Sequence, residues 1–234
     1  MPTKVIFCVH GVISPMLSNI LLTDLDRELK RRGHRFVRYV DDSNIYVKSE
    51  HAGQRVKAGI TRFLATRLKL KVNEAKSAVA HPWQRKFLGF SFTRTARPRR
   101  KIAPQALVRF KQRVRELTDR NQGRSLGEVI ARLALYLRGW RGYFRFCETP
   151  SVLRDLDSWI RHRLRSLVWK QWKRGRRRFA ELVRRGVNRD LAAQTAGSPH
   201  GPWRLAESPA LHIALPNDRF ATLGLPSLHV SPTA

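Results

Sequence analysis

Two adjacent carboxylates are the residues of this sequence best suited to chemistry. Asp41 and Asp42 lie between two runs rich in β-branched and aromatic residues, 34–40 and 44–48. Asp-Asp-Ser-Asn has turn-forming composition, so the pattern predicts a β-hairpin with both acids at its tip. Neighbouring carboxylates repel each other, and a cation relieves that repulsion. Mg²⁺ takes one or two carboxylates and leaves room for substrate phosphates, which predicts a site for two-metal phosphoryl or nucleotidyl transfer.

The alternative is an ordinary surface turn that contains two Asp by chance. Composition favours the metal site, because the 234 residues include 47 Lys and Arg but only 17 Asp and Glu. The formal net charge of +30 predicts a polyanionic partner. Arg residues interleaved with six Trp favour nucleic acid, since guanidinium groups bind phosphate and rings stack on bases.

Other classes find little support in the sequence. No apolar run is long enough to span a membrane, and no secretory signal is recognisable at the start. Cys8 and Cys147, the two cysteines, are too far apart in sequence to indicate a disulfide framework or a zinc cluster. We therefore expect a cytoplasmic protein without a membrane partner.

The elements around the acids predict an α+β unit that ends near Phe92. Lys4 to Val9 is predicted as an exposed edge strand or a broken strand. Ser14 and Pro15 predict the cap and first residue of a helix that ends at Gly33. Its apolar stripe is predicted at four leucines: Leu17, Leu21, Leu25 and Leu29. The remaining predictions are a helix, a strand–turn–strand and a short strand with an internal glycine: 51–68, 70–79 and 87–92.

The second half of the chain is predicted to be helical. A basic linker at 93–103 leads to helices over 104–190, with a capping box at Ser125 and Glu128 and a break at Pro150. Residues 191–234 form a proline-rich segment of short helices or partial disorder. Basic residues greatly outnumber acids between 151 and 190, so this stretch is predicted to present a nucleic-acid face rather than a solvated one.

Several blocks resemble group II intron reverse transcriptases in order and spacing: residues 11–20, 38–42 and 87–90. Residues 137–144 and 169–173 resemble the maturase region of the same proteins, also called X or thumb, and 203–228 resembles its end. The resemblance implies a partial right-hand polymerase palm over 1–92 and a helical thumb or maturase domain over 104–190, followed by a maturase C-terminal segment over 191–234. It also implies that the protein copies RNA into DNA and helps intron RNA to fold and splice.

The resemblance assigns roles to individual residues. Asp41 would be a ligand of Mg²⁺, Asp42 would support the metal site, and Tyr39 would line the nucleotide and primer terminus. Lys76 would neutralise triphosphate, with a plain surface lysine as the alternative. Three residues would hold the primer strand: Phe87, Leu88 and Gly89. Intron RNA and an RNA/DNA hybrid would be bound by ten basic residues: Arg138, Arg141, Arg161, Arg165, Lys170, Lys173, Arg174, Arg176, Arg177 and Arg178.

The family places its fingers and a further palm carboxylate before the 11–20 block. We therefore expect a fragment that binds RNA but does not extend a primer without a separate N-terminal piece. Two alternatives remain at this point. One is a non-catalytic RNA-binding maturase module with a vestigial Asp pair, and the other is a different metal-dependent nucleotidyl enzyme with a similar palm.

Overall fold

The computed structural model describes residues 3–8, 15–121 and 123–229, which fall into two compact units, 1–98 and 99–234. The first unit contains an antiparallel sheet with strand order β2-β3-β1-β4. Its strands are β1 Thr3–Cys8, β2 Arg35–Tyr39, β3 Asp42–Val47 and β4 Ala78–Ala80. Its helices are α1 Pro15–Arg31 and α2 Glu50–Arg67.

Strand β1 lies inside the sheet, so the prediction of an edge or broken strand at Lys4 to Val9 was wrong. β1 pairs with β3 on one side and with β4 on the other, and Val5 is opposite both Ile45 and Val79. Val5 is fully buried. The sequence did carry a signal for an inner strand, because residues 5–9 form an uninterrupted apolar run, the pattern typical of a strand covered on both faces.

Helix α1 begins at Pro15 as predicted; its expected cap, Ser14, lies outside the described residues. The predicted leucine stripe is only half correct. Leu25 and Leu29 are buried with Leu22, whereas Leu17 is exposed. The 3.6-residue helical period moves a strict four-residue spacing away from the core over several turns, so Leu22 replaces Leu21 on the buried face.

The carboxylate hairpin forms, but its turn is shorter and earlier than predicted. Tyr39 pairs directly with Asp42, so only Val40 and Asp41 lie in the loop. Ser43 and Asn44, predicted as turn residues, are buried within β3 because β3 is paired on both sides.

The rest of the first unit is more irregular than predicted. Of the expected strand–turn–strand at 70–79, only Ala78–Ala80 forms a strand. A 3₁₀ turn follows at Pro82–Gln84, and the short strand β5 covers Phe90–Phe92. Helix α2 forms close to the predicted range and packs Ile60 and Leu64 against the core, with Val56 and Phe63 at its margin.

The second unit begins with a short strand, β6 Arg100–Ile102, and continues as helices. The long helices are α3 Pro104–Leu117, α4 Leu126–Tyr143 and α5 Pro150–Gln171. The shorter ones are α6 Gly175–Arg184, α7 Arg189–Gly197, α8 Pro202–Leu205, α9 Pro209–Ala214 and α10 Asn217–Thr222. The predicted capping box is present: Ser125 caps α4 and Glu128 bonds back to the Ser125 backbone.

The C-terminal segment is fixed to α5 by a buried carboxylate. Asp157 accepts the backbone N–H groups of Leu228 at 2.9 Å and His229 at 3.0 Å, and the Ser227 hydroxyl at 2.8 Å. Arg141 of α4 donates to the Leu228 carbonyl at 2.7 Å. The Leu228 side chain is fully buried, so the end of the described chain belongs to the core of this unit.

Among the described helices of both units, none combines the length and the apolar composition that a membrane span requires.

Candidate active site and nucleic-acid interface

The hairpin that carries the two acids has an unusual backbone at its tip. Val40, the first of the two loop residues, has φ +55°. Two-residue hairpins need a positive φ at this position, which glycine or asparagine normally supplies. A β-branched residue held there costs about 1–3 kcal/mol, so the surrounding structure must stabilise the turn.

Residues of the hairpin divide between the two faces of the sheet. Side chains alternate between the two faces along a strand, and residues paired across neighbouring strands lie on the same face. Phe36, Arg38 and Ile45 therefore lie on the face that packs against the helices. Tyr39 and Asp42 lie on the opposite face. Tyr39 is 59% exposed, and both Asp41 and Asp42 are half-buried. Asp42, predicted to support the metal site, and Tyr39, the predicted nucleotide contact, are therefore neighbours on the face away from the core.

The donor chemistry at this tip fits Mg²⁺. Two adjacent carboxylates with partial access to solvent match an ion that keeps several coordination positions for water and phosphate. Across the described residues, no cluster of three or more His, Cys, Asp or Glu side chains is arranged to hold a metal ion. A metal ion at this tip would have Asp41 and Asp42 as its protein carboxylates.

The predicted primer-holding residues form a second tight turn. Phe87 and Phe90 exchange backbone hydrogen bonds of 2.8 and 2.9 Å around Leu88 and Gly89. Both loop residues have positive φ, +50° at Leu88 and +74° at Gly89, the pattern of a type I′ hairpin. The glycine that the sequence indicated therefore meets a backbone requirement, and Leu88 shares that conformation without the freedom of glycine.

Lys76 is exposed at the end of a turn that Asn73 closes. The Asn73 side chain and carbonyl both accept the Lys76 backbone N–H, each at 3.2 Å. The neighbouring Ser77 carbonyl accepts Lys57 Nζ at 3.3 Å, and Lys57 also pairs with Glu74. This turn fixes the Lys76 backbone and leaves its side chain at the surface.

In the second unit, positive side chains gather around one tryptophan. Trp159 of α5 has Lys111 and Arg115 of α3 and Arg163 of α5 over its ring, with the charged groups 5.8, 5.7 and 5.4 Å from the centroid. We call these residues, with Arg120, the Trp159 cluster. Burial, and then the charges of Arg115 and Arg120, lower the pKa of Arg163. The fold thus holds like charges close enough to repel each other.

The Trp159 cluster keeps an excess of positive charge: Asp119 raises the pKa of Arg163, but this effect is weaker than the opposing effects of burial, Arg115 and Arg120. Within the described ranges, no member of the cluster forms a salt bridge to a carboxylate. Carboxylates elsewhere do pair with arginine, for example Glu116 with Arg113 at 2.9 Å and Glu148 with Arg100 at 2.7 Å. Phosphate groups are the natural complement of such a surface.

A basic pocket of about 450 Å³ lies beside the cluster, between the α3–α4 connection and the end of α5. Lys170 is held there by the Asn121 side chain at 2.6 Å, and Gln171 donates to the Arg124 carbonyl at 2.7 Å. Its lining is mostly cationic or polar: Asp119, Arg120, Gly123, Arg124, Ser125, Lys170, Gln171 and Lys173. Two residues predicted to bind RNA, Lys170 and Lys173, therefore lie in this pocket.

The structure separates the predicted RNA-binding residues into two groups. Arg165 is 4% exposed and bonds to the Leu215 carbonyl and the Asn217 side chain, so it stabilises the packing of the C-terminal helices. Arg178 is half-buried over Trp169, and Arg141 bonds to the C-terminal segment. Arg161 is half-buried. The remaining members are exposed: Arg138, Lys170, Lys173, Arg174, Arg176 and Arg177.

Counting charge along the sequence missed the Trp159 cluster. Lys111 and Arg115 are four residues apart on α3, and Trp159 and Arg163 are four apart on α5, so each pair shares a helix face. That spacing was visible in the sequence. The pairing of the two helix faces was not, because it depends on tertiary packing.

Comparison with known families agrees with these two units. Residues 11–92 match the family model described as "Reverse transcriptase (RNA-dependent DNA polymerase)", which gives the class of the first unit. Residues 107–186 match "Group II intron, maturase-specific domain". This chain belongs to the group II intron reverse transcriptases/maturases. A search of curated proteins gave no significant match.

The two matches confirm the family that the sequence blocks predicted. The blocks at 38–42, 87–90, 137–144 and 169–173 fall inside the matched ranges. The block at 203–228 lies outside both ranges, so its assignment to a maturase end stays a prediction. The block at 11–20 is matched in sequence, although residues 11–14 lie outside the described structure.

Proposed function

We propose that the second unit binds group II intron RNA through the Trp159 cluster and the adjacent basic pocket. The family match gives the chain its reverse transcriptase and maturase domains. The observation that carries the proposal is the set of crowded cations around Trp159, which pair with no carboxylate among the described residues. A polyanion with regularly spaced phosphates stabilises such a surface, and the Trp159 ring holds the three cations near one another through cation–π contacts.

We further propose that the first unit is the palm portion that presents the metal carboxylates, and that the second unit has the thumb role. Asp41 and Asp42 would hold Mg²⁺, which when bound supplies positive charge to phosphate oxygens during nucleotidyl transfer. Tyr39, exposed on the same face as Asp42, would contact the nucleotide and primer terminus. The turn at Phe87–Phe90 would support the primer strand of an RNA/DNA hybrid.

The RNA-binding proposal is tested by measuring the affinity of the purified chain for a folded group II intron RNA at several KCl concentrations. The comparison RNA is a single-stranded polypyrimidine of equal length. We expect tighter binding to the folded intron, with the logarithm of the association constant falling linearly with the logarithm of salt concentration. Equal affinity for both RNAs would contradict a maturase role, and salt-independent binding would contradict a phosphate-binding surface.

A further inference from the structure

Arg38 connects the carboxylate hairpin to helix α1 with an unusually complete set of bonds. Its Nε and Nη2 donate to the two carboxylate oxygens of Asp26, at 2.9 and 2.6 Å. Its Nη1 donates to Asn19 Oδ1 and to the carbonyl oxygen of Val40, each at 2.8 Å. A bidentate arginine–carboxylate pair is among the stronger and more directional side-chain interactions.

We call the bonds of Arg38 to Asp26, Asn19 and Val40 the clamp. The clamp joins the hairpin to a helix that is packed into the core. Asn19 and Asp26 are seven residues apart on α1, so both lie on one face of the helix, two turns from each other. The same helix buries Leu22, Leu25 and Leu29. The Arg38 side chain is only 11% exposed and the Asp26 side chain 24%, so solvent screens their pairing less than that of a surface ion pair.

The bond to the Val40 carbonyl is made at the turn itself. That oxygen belongs to the peptide group joining Val40 to Asp41, the middle of the two-residue loop. Holding this oxygen fixes the plane of the peptide and therefore the direction in which Asp41 leaves the turn. It also stabilises the left-handed Val40, which would otherwise tend to relax.

We propose that Arg38 is a positioning residue that, with Asp26 and Asn19, holds the Val40–Asp41 peptide and so sets the geometry of the Asp41–Asp42 metal site. The inference deepens the proposed palm function and rests on it. Arg38 itself lies on the opposite face of the sheet from Asp42, so it acts through the backbone of the hairpin and not by touching metal or substrate.

A positioning role and a purely electrostatic role predict opposite signs. Arg38 is a positive charge near a cation site, so removing its charge would by itself strengthen metal binding. Loss of the clamp would weaken metal binding because the carboxylates would sample wrong orientations. Arg38→Lys keeps the charge and loses the planar fork, which isolates the geometric contribution.

The experiment is a titration of the full chain with Mn²⁺, a paramagnetic substitute for Mg²⁺, followed by electron paramagnetic resonance. Asp41→Ala identifies the binding that depends on the hairpin. We expect Arg38→Lys to weaken that binding by about 10-fold, the scale for residues that orient metal ligands. Asp26→Asn also removes a negative charge, which by itself weakens cation binding, so the loss should be at least as large. The double variant should lose no more than Asp26→Asn alone, because both changes remove the same set of bonds.

The matched control is Arg31→Lys. Arg31 forms a bidentate pair with Glu28 on the same helix, with both bonds at 2.8 Å, but it is not bonded to the hairpin. We expect Mn²⁺ affinity to be unchanged in this variant. Hydrogen exchange adds a second readout: the backbone amides of Asp41 and Asp42 should exchange faster in Arg38→Lys, while those of α2 should keep their wild-type rates.

The possible outcomes separate the two levels of the proposal. Wild-type Mn²⁺ binding that is insensitive to Asp41→Ala would overturn the proposed metal site, and with it the inference. Asp41-dependent binding that Arg38→Lys leaves at wild-type strength, with unchanged hairpin exchange, would overturn the inference alone. If Arg31→Lys weakened Mn²⁺ binding as much as Arg38→Lys does, the effect would be general destabilisation. That result would overturn the positioning role.

Discussion

Replacing Arg115 by glutamine gives a sharp test of the proposed RNA surface. Arg115 projects over Trp159 from α3 and forms no salt bridge to a described carboxylate. Its neighbour Arg113, two positions away on another side of the same helix, is paired with Glu116 at 2.9 Å. Arg113→Gln and Arg115→Gln change the net charge equally, so they differ only in the location and pairing of the lost charge.

The expected magnitude follows from counterion release. A cation that contacts one phosphate contributes about 0.7–0.9 to the slope of log affinity against log salt. Arg115→Gln should therefore reduce the slope for intron RNA by about 0.7–0.9, and Lys111→Gln with Arg115→Gln by about twice that amount. Arg113→Gln should leave the slope close to the wild-type value.

The assay is equilibrium filter binding of the folded intron RNA over a series of KCl concentrations, with circular dichroism to show that α3 remains helical. Equal slopes for Arg113→Gln and Arg115→Gln would refute the reasoning, because binding would then depend on total charge alone. A wild-type slope in the Lys111→Gln, Arg115→Gln double variant would show that RNA does not occupy the Trp159 cluster.

Three further predictions concern stability. Asp157→Ala leaves the Leu228 and His229 amides without their acceptor. We therefore expect the free energy of unfolding, measured with urea, to fall by about 1–3 kcal/mol and C-terminal proteolysis to become faster. Wild-type values for both would contradict the anchoring role. Ser125→Ala removes the cap of α4 and should cost about 1 kcal/mol, measured by thermal melting, with an unchanged melting temperature as the contrary result. Hydrogen bonds from Arg31 and Arg32 lower the pKa of Glu28 from 4.5 to about 2, so its stabilising contribution is present above pH 4.5 and disappears as the pH falls toward 2. Melting temperatures of wild type and Glu28→Gln should therefore converge over that interval, and a constant difference would contradict this assignment.

The hairpin shows what local sequence can and cannot predict. Two acids between β-rich runs were enough to predict the hairpin, and the structure confirms it, with Asp41 in the loop and Asp42 as the first residue of β3. The position of the turn was not predictable, because propensity disfavours a left-handed Val40. The clamp from Arg38 to α1 is a tertiary interaction that helps to hold this conformation, and nothing in the local pattern indicates it.

The arginine-rich helices show a second limit. A high local charge predicted a binding face, but arginine also serves as a long apolar stem with many donors. Arg165 uses those donors inside the unit, and Arg178 covers Trp169. Sequence composition cannot distinguish such residues from outward-facing ones. The four-residue spacing of Lys111 and Arg115, in contrast, identifies a shared helix face.

Ultraviolet crosslinking of the full chain to folded group II intron RNA, followed by mass spectrometry of the peptides, tests the proposed function most directly. We predict that crosslinked nucleotides concentrate on Trp159 and on the peptides of α3 and α5 that surround it, and that Arg115→Gln diminishes them. Crosslinks confined to α6 and the C-terminal helices, with none on Trp159, would contradict the proposed RNA-binding surface.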